Sequence, residues 1–206
     1  MAKVPTKEKI KIAAQALFAE KGIAAVGVRE IVKAAGQKNM ASLHYYFRTK
    51  QDLVSALLVD AADAMENRRE ELLDELEGRG GPEDILDVLK IFIKCAIVPG
   101  EDPRHESNIR LFLIAFHNDP AFVYASIGHR ENPPFFRCLD YCRDFMKIQD
   151  EDKIEARLNF MQTYVFTVLA ARERALSDEK FHHKMWNDEK TIDDLALTAK
   201  GLLLAE

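Results

Sequence analysis

The chain has 206 residues, of which 48% are hydrophobic and 31% charged, and its formal net charge is −5. This apolar content is too high for a disordered chain and allows one large or two small domains with a real core. No uninterrupted apolar run approaches the roughly 18 residues of a transmembrane helix. The first residues also lack the apolar stretch of a secretion signal. We therefore expect a cytoplasmic protein that is not associated with a membrane.

The charge is divided unevenly along the chain. Residues 1–50 contain ten Lys and Arg against three acidic residues, a net charge of +7. Residues 51–206 contain 19 basic and 31 acidic residues, a net charge of −12. A small basic head on an acidic body suggests that only the head meets a polyanion, although a basic surface without a partner remains the alternative.

Hydrophobic periodicity predicts helices throughout the chain. No segment shows the two-residue alternation of a strand, so the predicted fold class is all-α. In chain order the predicted helices span residues 6–21, 28–35, 39–46, 49–76, 82–98, 104–117, 121–130, 135–148, 150–176 and 191–204.

The second and third helices are joined at Ala35-Gly36 and form a candidate helix-turn-helix. The second helix of such a motif must expose small and polar side chains to enter the major groove, which is about 12 Å wide. Leu43 supplies the core contact of this helix. The side chains expected on its exposed, DNA-binding face are those of Lys38, Asn39, Met40, Ser42 and His44.

Three successive aromatic residues end this helix. A surface helix cannot bury all three, so we expect Phe47 in the core and at least one of Tyr45 and Tyr46 with its hydroxyl at a phosphate. The alternative is that all three pack against the first helix. Thr49 and Lys50 open the fourth helix, where a positive helix end and a full charge favour a further phosphate. Arg29, near the start of the second helix, is another phosphate candidate.

These landmarks together resemble the N-terminal domain of TetR-family transcriptional regulators. The resemblance rests on the runs Lys9–Gly22, Val28–Gly36 and Leu43–Lys50, followed by Asp52-Leu53. It implies a helix-turn-helix DNA-binding domain at residues 1–50 and a larger C-terminal helical domain at 51–206 for effector binding and dimerisation. It further implies a homodimer that binds a palindromic operator in double-stranded DNA, usually as a repressor released by a small molecule. The family's phosphate-contacting positions correspond here to Tyr45, Tyr46 and Lys50.

The last two predicted helices carry apolar stripes suited to a dimer interface. The resemblance assigns such helices to a four-helix dimer bundle, and a single helix-turn-helix reads too short a site for specificity. The alternative is that both stripes are intramolecular core. The predicted interface residues are Ile154, Leu158, Met161, Val165, Leu169, Leu195, Ala199 and Leu202.

Aromatic residues are abundant between positions 92 and 166. Pockets for apolar ligands are lined by such residues together with a few polar groups, so their number favours a small, largely apolar effector. The alternative for any one of them is ordinary core. The predicted ligand-binding residues are Phe92, Phe112, Phe116, His117, Phe136, Tyr141, Phe145, Gln162 and Tyr164.

The sequence predicts neither a catalytic activity nor a bound cofactor. It has no glycine-rich phosphate loop and no nucleophile with a recognisable base. Cys138 and Cys142 are spaced to share a helix face, but no further ligand lies at the spacing of a zinc site, so we expect two buried thiols and no metal. Two other hypotheses remain: a helical small-molecule-binding protein or enzyme with a basic docking head, and an adaptor whose helix-turn-helix does not bind DNA.

Overall fold

A computed structural model describes residues 4–97, 102–128, 134–178, 184–187 and 189–205. All regular structure in these residues is helical, which confirms the predicted all-α class. Two short 3-10 turns, Pro103–Ser107 and Lys184–Asn187, accompany the α-helices. The α-helices are α1 Thr6–Lys21, α2 Val28–Ala34, α3 Ala41–Phe47, α4 Lys50–Gly78, α5 Ile85–Lys94, α6 Asn108–Asn118, α7 Pro120–Ile127, α8 Pro134–Phe145, α9 Glu151–Leu176 and α10 Glu189–Leu204.

The largest error in the predicted starts is at α6, which the sequence places at Arg104 and the structure at Asn108, after the 3-10 turn Pro103–Ser107. The sequence also places the start of α5 at Pro82, whereas α5 begins at Ile85 because Asp84 and Asp87 form a capping box. The predicted ends of two helices, at Val98 and Arg130, lie outside the described residues.

The chain divides into two compact units, and α4 contributes to both. Unit 1 comprises Met1–Ala62 and Gly100–His129. Its core contains apolar side chains of α1, α2, α3, α6, α7 and the first half of α4, including Phe18, Ile31 and Leu57. Leu43 of α3 belongs to this core, as the sequence predicts.

A polar network ties α1 to the 3-10 turn within unit 1. The buried Gln15 amide donates hydrogen bonds to the Arg104 carbonyl at 2.7 Å and to Asn108 Oδ1 at 2.9 Å. The Asp60 carboxylate accepts hydrogen bonds from both Lys11 and Arg104. These contacts fix the long-range packing of α1 more precisely than apolar burial alone.

Unit 2 comprises Asp63–Pro99 and Arg130–Glu206. In it α5 packs against α8 and α10, and α10 also packs against α9. Cys95, Cys138 and Cys142 are buried in this unit. Burial raises the pKa of both Cys138 and Cys142 to about 12, as expected for thiols held in apolar surroundings.

Membrane-spanning helices and metal-binding clusters are both absent from the described residues. None of their helices is both long and apolar enough to span a bilayer. No group of three or more His, Cys, Asp or Glu side chains in the described ranges is arranged to hold a metal ion.

Candidate nucleic-acid interface

The inner face of α3 anchors it in unit 1. Leu43 is fully buried and Phe47 is 4% exposed, as the sequence predicts for both. On α2, the buried residues Ile31 and Val32 complete the same core. The opposite face of α3 is therefore not part of this core.

The turn between α2 and α3 depends on Gly36. Its φ is +67°, in the left-handed region that side chains with a Cβ rarely adopt. The amide of Gln37 donates to the Val32 carbonyl at 2.9 Å, closing the C-terminus of α2. The predicted role of Gly36 in setting the turn is therefore present.

The start of α3 is organised by two of the predicted base-reading residues. Asn39 Oδ1 accepts a hydrogen bond from the Ala41 amide at 2.9 Å. Ser42 Oγ donates to the Asn39 carbonyl at 2.6 Å. The amide nitrogen of the exposed Asn39 side chain is not used in this contact, so Asn39 can support the helix start and still offer a donor outward.

The outer face of α3 is polar and cationic. Lys38, Asn39, Met40 and His44 are exposed, and Ser42 is half-buried. Lys38 and Arg29 make no ion pair with any residue in the described part of the chain, and their charges are available to a polyanion. The structure thus places Ser42 and His44 on α3, as predicted, but Lys38, Asn39 and Met40 in the exposed turn before it, because α3 begins at Ala41 rather than Asn39.

The aromatic end of α3 divides as predicted. Tyr45 is 82% exposed and Tyr46 is 39% exposed, with their rings edge to face at 4.9 Å. The alternative in which all three aromatic residues pack into the head is therefore wrong. Phe47 alone turns inward, where the Lys7 ammonium lies 5.9 Å from its ring centroid.

Arg48 is a cation of this surface that the sequence analysis did not select. Its side chain is exposed and its φ is +44°, so the chain turns sharply between α3 and α4. His44 Nδ1 lies 2.7 Å from the Arg48 carbonyl and donates to it, which holds the turn closed. The signal in the sequence was the positive charge directly after three aromatics.

The start of α4 is occupied by its own side chains. Thr49 Oγ1 accepts from the Asp52 amide at 3.0 Å, and Asp52 Oδ2 accepts from the Thr49 amide at 3.2 Å, so the two residues form a capping box. Lys50 Nζ donates to the carbonyls of Ile23 and Val26, each at 2.9 Å. The two predicted phosphate contacts of this helix are thus engaged within unit 1, and the Asp52 carboxylate adds negative charge there.

The predicted ligand-binding residues are divided between the two units. Phe112, Phe116 and His117 belong to unit 1, where the first two pack on its core and His117 is exposed. The other six belong to unit 2. Among these, Tyr141 donates to Glu77, Tyr164 bonds Thr198, Gln162 donates to the carbonyl of Leu158 in its own helix, Phe145 is half-buried, and Phe92 and Phe136 both contact the ring of Phe135.

The predicted dimer residues are mostly core of unit 2. The alternative of intramolecular packing describes seven of the eight, because a single chain already buries them. Only Leu202, at 38% exposure, remains at the surface. The buried seven are Ile154, Leu158, Met161, Val165, Leu169, Leu195 and Ala199.

Residues 12–57 match the sequence profile described as "Bacterial regulatory proteins, tetR family". This segment contains the whole helix-turn-helix and the start of α4. Residues 12–57 therefore form an N-terminal domain of the TetR-family type. The family's description is that of regulators rather than enzymes, which agrees with the absence of a predicted catalytic site.

Similar proteins extend the comparison beyond this segment. The chain is 32% identical over 87 residues to the probable HTH-type transcriptional regulator YttP of Bacillus subtilis, and the match covers 42% of each chain. The fold resembles that of the TetR-family regulator PfmR of Thermus thermophilus, with a TM-score of 0.56, 15% identity and coverage of 96% and 98% of the two chains. It also resembles a gamma-butyrolactone receptor described as ArpA-like, with a TM-score of 0.52, 18% identity and coverage of 95% and 96%.

Proposed function

We propose that this TetR-family chain is a cytoplasmic transcriptional repressor that binds a palindromic operator as a homodimer and is released by a small, largely apolar effector. The observation that carries the proposal is the division of α3 into two faces. Leu43 and Phe47 hold the helix in the core, while His44 on the opposite side and Lys38 and Asn39 in the turn before the helix present polar and cationic side chains to solvent. A helix of this kind fits the major groove of B-DNA.

The side chains of this face suit two kinds of DNA contact. Asn39 and Ser42 have donors and acceptors matched to base edges, and an Asn amide pairs well with adenine. Arg29, Lys38 and the tyrosine pair Tyr45–Tyr46 suit phosphates, where they fix register without reading sequence. The exposed Arg48 joins this second group.

Two copies of the recognition helix are needed to read a palindrome. For two successive major grooves they must lie about 34–36 Å apart. We place the dimer surface on the exposed face of α9 and α10 rather than on their buried stripes. Phe160 and Leu197 are 64% and 57% exposed, and large apolar side chains left in water commonly mark an interface.

This exposed face runs along both helices. Leu197, Gly201 and Leu204 recur at helical spacing on α10, and all three are exposed. Tyr164 on α9 and Thr198 on α10 are joined by a 2.8 Å hydrogen bond between their hydroxyls, which ties the two helices together beside this stripe. A second copy of the same surface would bury both apolar rows.

Unit 2 is the proposed effector-binding part. A relative of the same fold is named a gamma-butyrolactone receptor, which supports a small-molecule role for such a body by analogy of fold. An effector that binds better to a state with a different separation of the two recognition helices lowers DNA affinity by its differential affinity for the two states.

Selection of binding sites from random duplexes tests the proposal. We expect enrichment of a palindrome whose half-sites are centred about one helical turn apart. The test variant is Asn39→Ala, in the turn before α3, which should change the enriched sequence. The matched control is Lys153→Ala on α9, which should leave the enriched sequence unchanged. Failure of any duplex to bind in low salt would overturn the proposal, and binding without a palindrome would leave a non-specific DNA-binding protein.

A further inference from the structure

Unit 2 contains a buried arginine that the helical fold does not require. Arg69, in the second half of α4, is 1% exposed and is among the largest fully buried side chains of the chain. Taking a guanidinium out of water is costly, and apolar residues of similar volume usually serve a core as well or better. A charge kept at such a position invites a functional explanation.

The surroundings of Arg69 are aromatic and charge-balanced. Its guanidinium lies 5.7 Å from the ring centroid of Phe92 and 5.3 Å from that of Phe135. Its single ion-pair partner among the described residues is Glu66, one helical turn away. Glu66 in turn accepts a hydrogen bond from the Phe135 amide at 3.0 Å. The pair is therefore neutral as a whole.

One hydrogen-bond donor of Arg69, the Nε–H group, is unpaired. Its Nε is buried and has no hydrogen-bond acceptor within bonding distance among the described residues. The buried Cys95 thiol interacts with the guanidinium, but a thiol sulfur is only a weak acceptor. Buried N–H groups in folded proteins almost always have an acceptor, so an orphan of this kind calls for an unseen partner. The partner must supply a hydrogen-bond acceptor, because a guanidinium can only donate.

A row of aromatic rings connects this donor to solvent. Phe136 is 53% exposed, and its ring meets that of Phe135 edge to face at 5.5 Å. Phe135 is half-buried and covers the guanidinium, and the row continues inward to the fully buried Phe92, whose ring also contacts that of the half-buried Phe166. Displacement of one half-buried ring, that of Phe135, would open the guanidinium to a molecule arriving over Phe136.

We propose that Arg69 is the polar anchor of an effector site, and that its ligand is an uncharged molecule with a carbonyl-type acceptor on a ring-shaped apolar body. The carbonyl oxygen accepts from Nε, and the body packs among Phe92, Phe135 and Phe136. The ligand is uncharged because Glu66 already neutralises the guanidinium, so a carboxylate would bring an unbalanced charge into an apolar site. This inference rests on the proposed effector role of unit 2 and names the ligand class for it.

The test uses three probes of similar size on the full chain without DNA: acetophenone, ethylbenzene and benzoate. Ligand-observed NMR titrations measure the dissociation constant of each. We expect acetophenone to bind at least tenfold more tightly than either of the others. Equal binding of the three probes, preference for benzoate, or no binding of acetophenone up to its solubility would overturn the proposal.

Two variants separate anchoring from mere packing. Arg69→Met should reduce the affinity for acetophenone to that for ethylbenzene. Arg68→Met is the matched control, because Arg68 is the preceding residue and pairs with Glu71 at the surface. It should leave all three affinities unchanged. An Arg69→Met protein that keeps its helical circular dichroism and still prefers acetophenone would contradict the proposal.

Glu66→Gln supplies a test that does not require removal of Arg69. This variant leaves the guanidinium charge unbalanced, so the preference should change from acetophenone to benzoate. An unchanged order of affinities would overturn the charge-balance argument. All these measurements are independent of DNA, so a failure here is distinguishable from a failure of the selection experiment, which tests repression through an operator.

Discussion

The Lys50 ammonium at the start of α4 lies 2.9 Å from the carbonyl oxygen of Val26, which precedes α2. A second carbonyl, that of Ile23, accepts from the same nitrogen at 2.9 Å. Lys50 thus ties the loop between α1 and α2 to the first turn of α4. From the sequence alone, this lysine is predicted to contact phosphate, and a Lys50→Ala change to lower the salt slope of DNA binding by about one unit. Its position in the folded head points to a different outcome.

We expect Lys50→Met to weaken binding to all DNA sequences while the salt slope stays unchanged. The variant loses the tie between loop and helix but no phosphate contact, and we expect it to destabilise the protein by about 1 kcal/mol, the usual worth of a partly exposed hydrogen bond. The measurement is a fluorescence-anisotropy titration over a range of salt concentrations. Arg29→Met is the matched control and should lower the slope by about one unit. If Lys50→Met lowered the salt slope by a similar amount, Lys50 would contact a phosphate after all.

The local features of the head could be predicted from the sequence because each depends on residues a few positions apart. Leu43 and Phe47 are four residues apart and therefore share the buried face of α3. Thr49 and Asp52 have the spacing of a capping box, and the box is present. The partners of Lys50 could not be predicted in this way, since its acceptors lie 24 and 27 positions away and meet it only in the folded chain.

The body shows the limits of periodicity more clearly. An apolar stripe shows that a helix face is buried but not by which chain, so periodicity alone does not distinguish a dimer face from the intramolecular core that buries Leu158 and Val165. Arg69 lies in a run of charged residues of the kind that is typical of a solvated helix face. Its burial follows from the packing of α5 and α8 around α4, which no local pattern records.

Asn39 has two proposed roles that substitutions can separate. Asn39→Ala removes the acceptor for the Ala41 amide, so we expect it both to lower stability by about 1 kcal/mol, as for other helix caps, and to change base preference. Asn39→Ser keeps a capping oxygen and should change base preference with little loss of stability. Urea denaturation and binding-site selection measure the two effects. If Asn39→Ser selects the same sequence as the wild type, Asn39 is a cap only.

The thiols of Cys138 and Cys142 should be inert in the native protein. Burial raises the pKa of each from 9.0 to about 12, so almost none is thiolate at pH 8. We expect slow alkylation by iodoacetamide at pH 8 and rapid alkylation after denaturation, as followed by mass spectrometry. Because the folded pKa lies above the unfolded one, this contribution to stability is complete below about pH 9 and is lost as the pH rises towards 12. Fast modification of the native protein would contradict the burial of these thiols.

Because of Arg104, part of the free energy of unfolding of unit 1 should depend on pH and decrease in acid. Its side-chain hydrogen bonds lower the pKa of Asp102, and the contribution is therefore present above the ordinary carboxyl pKa of 3.8 and lost as the pH falls below it. We expect Arg104→Met to reduce the free energy of unfolding by about 2 kcal/mol at pH 7, between the values for exposed and buried pairs. The difference from wild type should narrow at pH 3 in denaturant titrations. Arg143→Met, which breaks exposed pairs with Glu151 and Glu155, should cost less than about 1 kcal/mol.

The exposed face of α9 and α10 is tested by placing charge on it. Phe160→Glu and Leu197→Glu should each give a folded monomer, because a carboxylate buried between two apolar surfaces is costly and both positions are already exposed in one chain. Light scattering at micromolar concentration measures the mass, and helical circular dichroism checks the fold. Tyr124→Glu is the matched control, since Tyr124 is 57% exposed on α7, and it should remain dimeric. If both Phe160→Glu and Leu197→Glu dimerised as tightly as the wild type, the dimer interface would lie on another surface. If the wild-type protein had the mass of a single chain, the proposal of a dimer would be wrong. The proposal that two recognition helices read a palindrome would then be wrong as well.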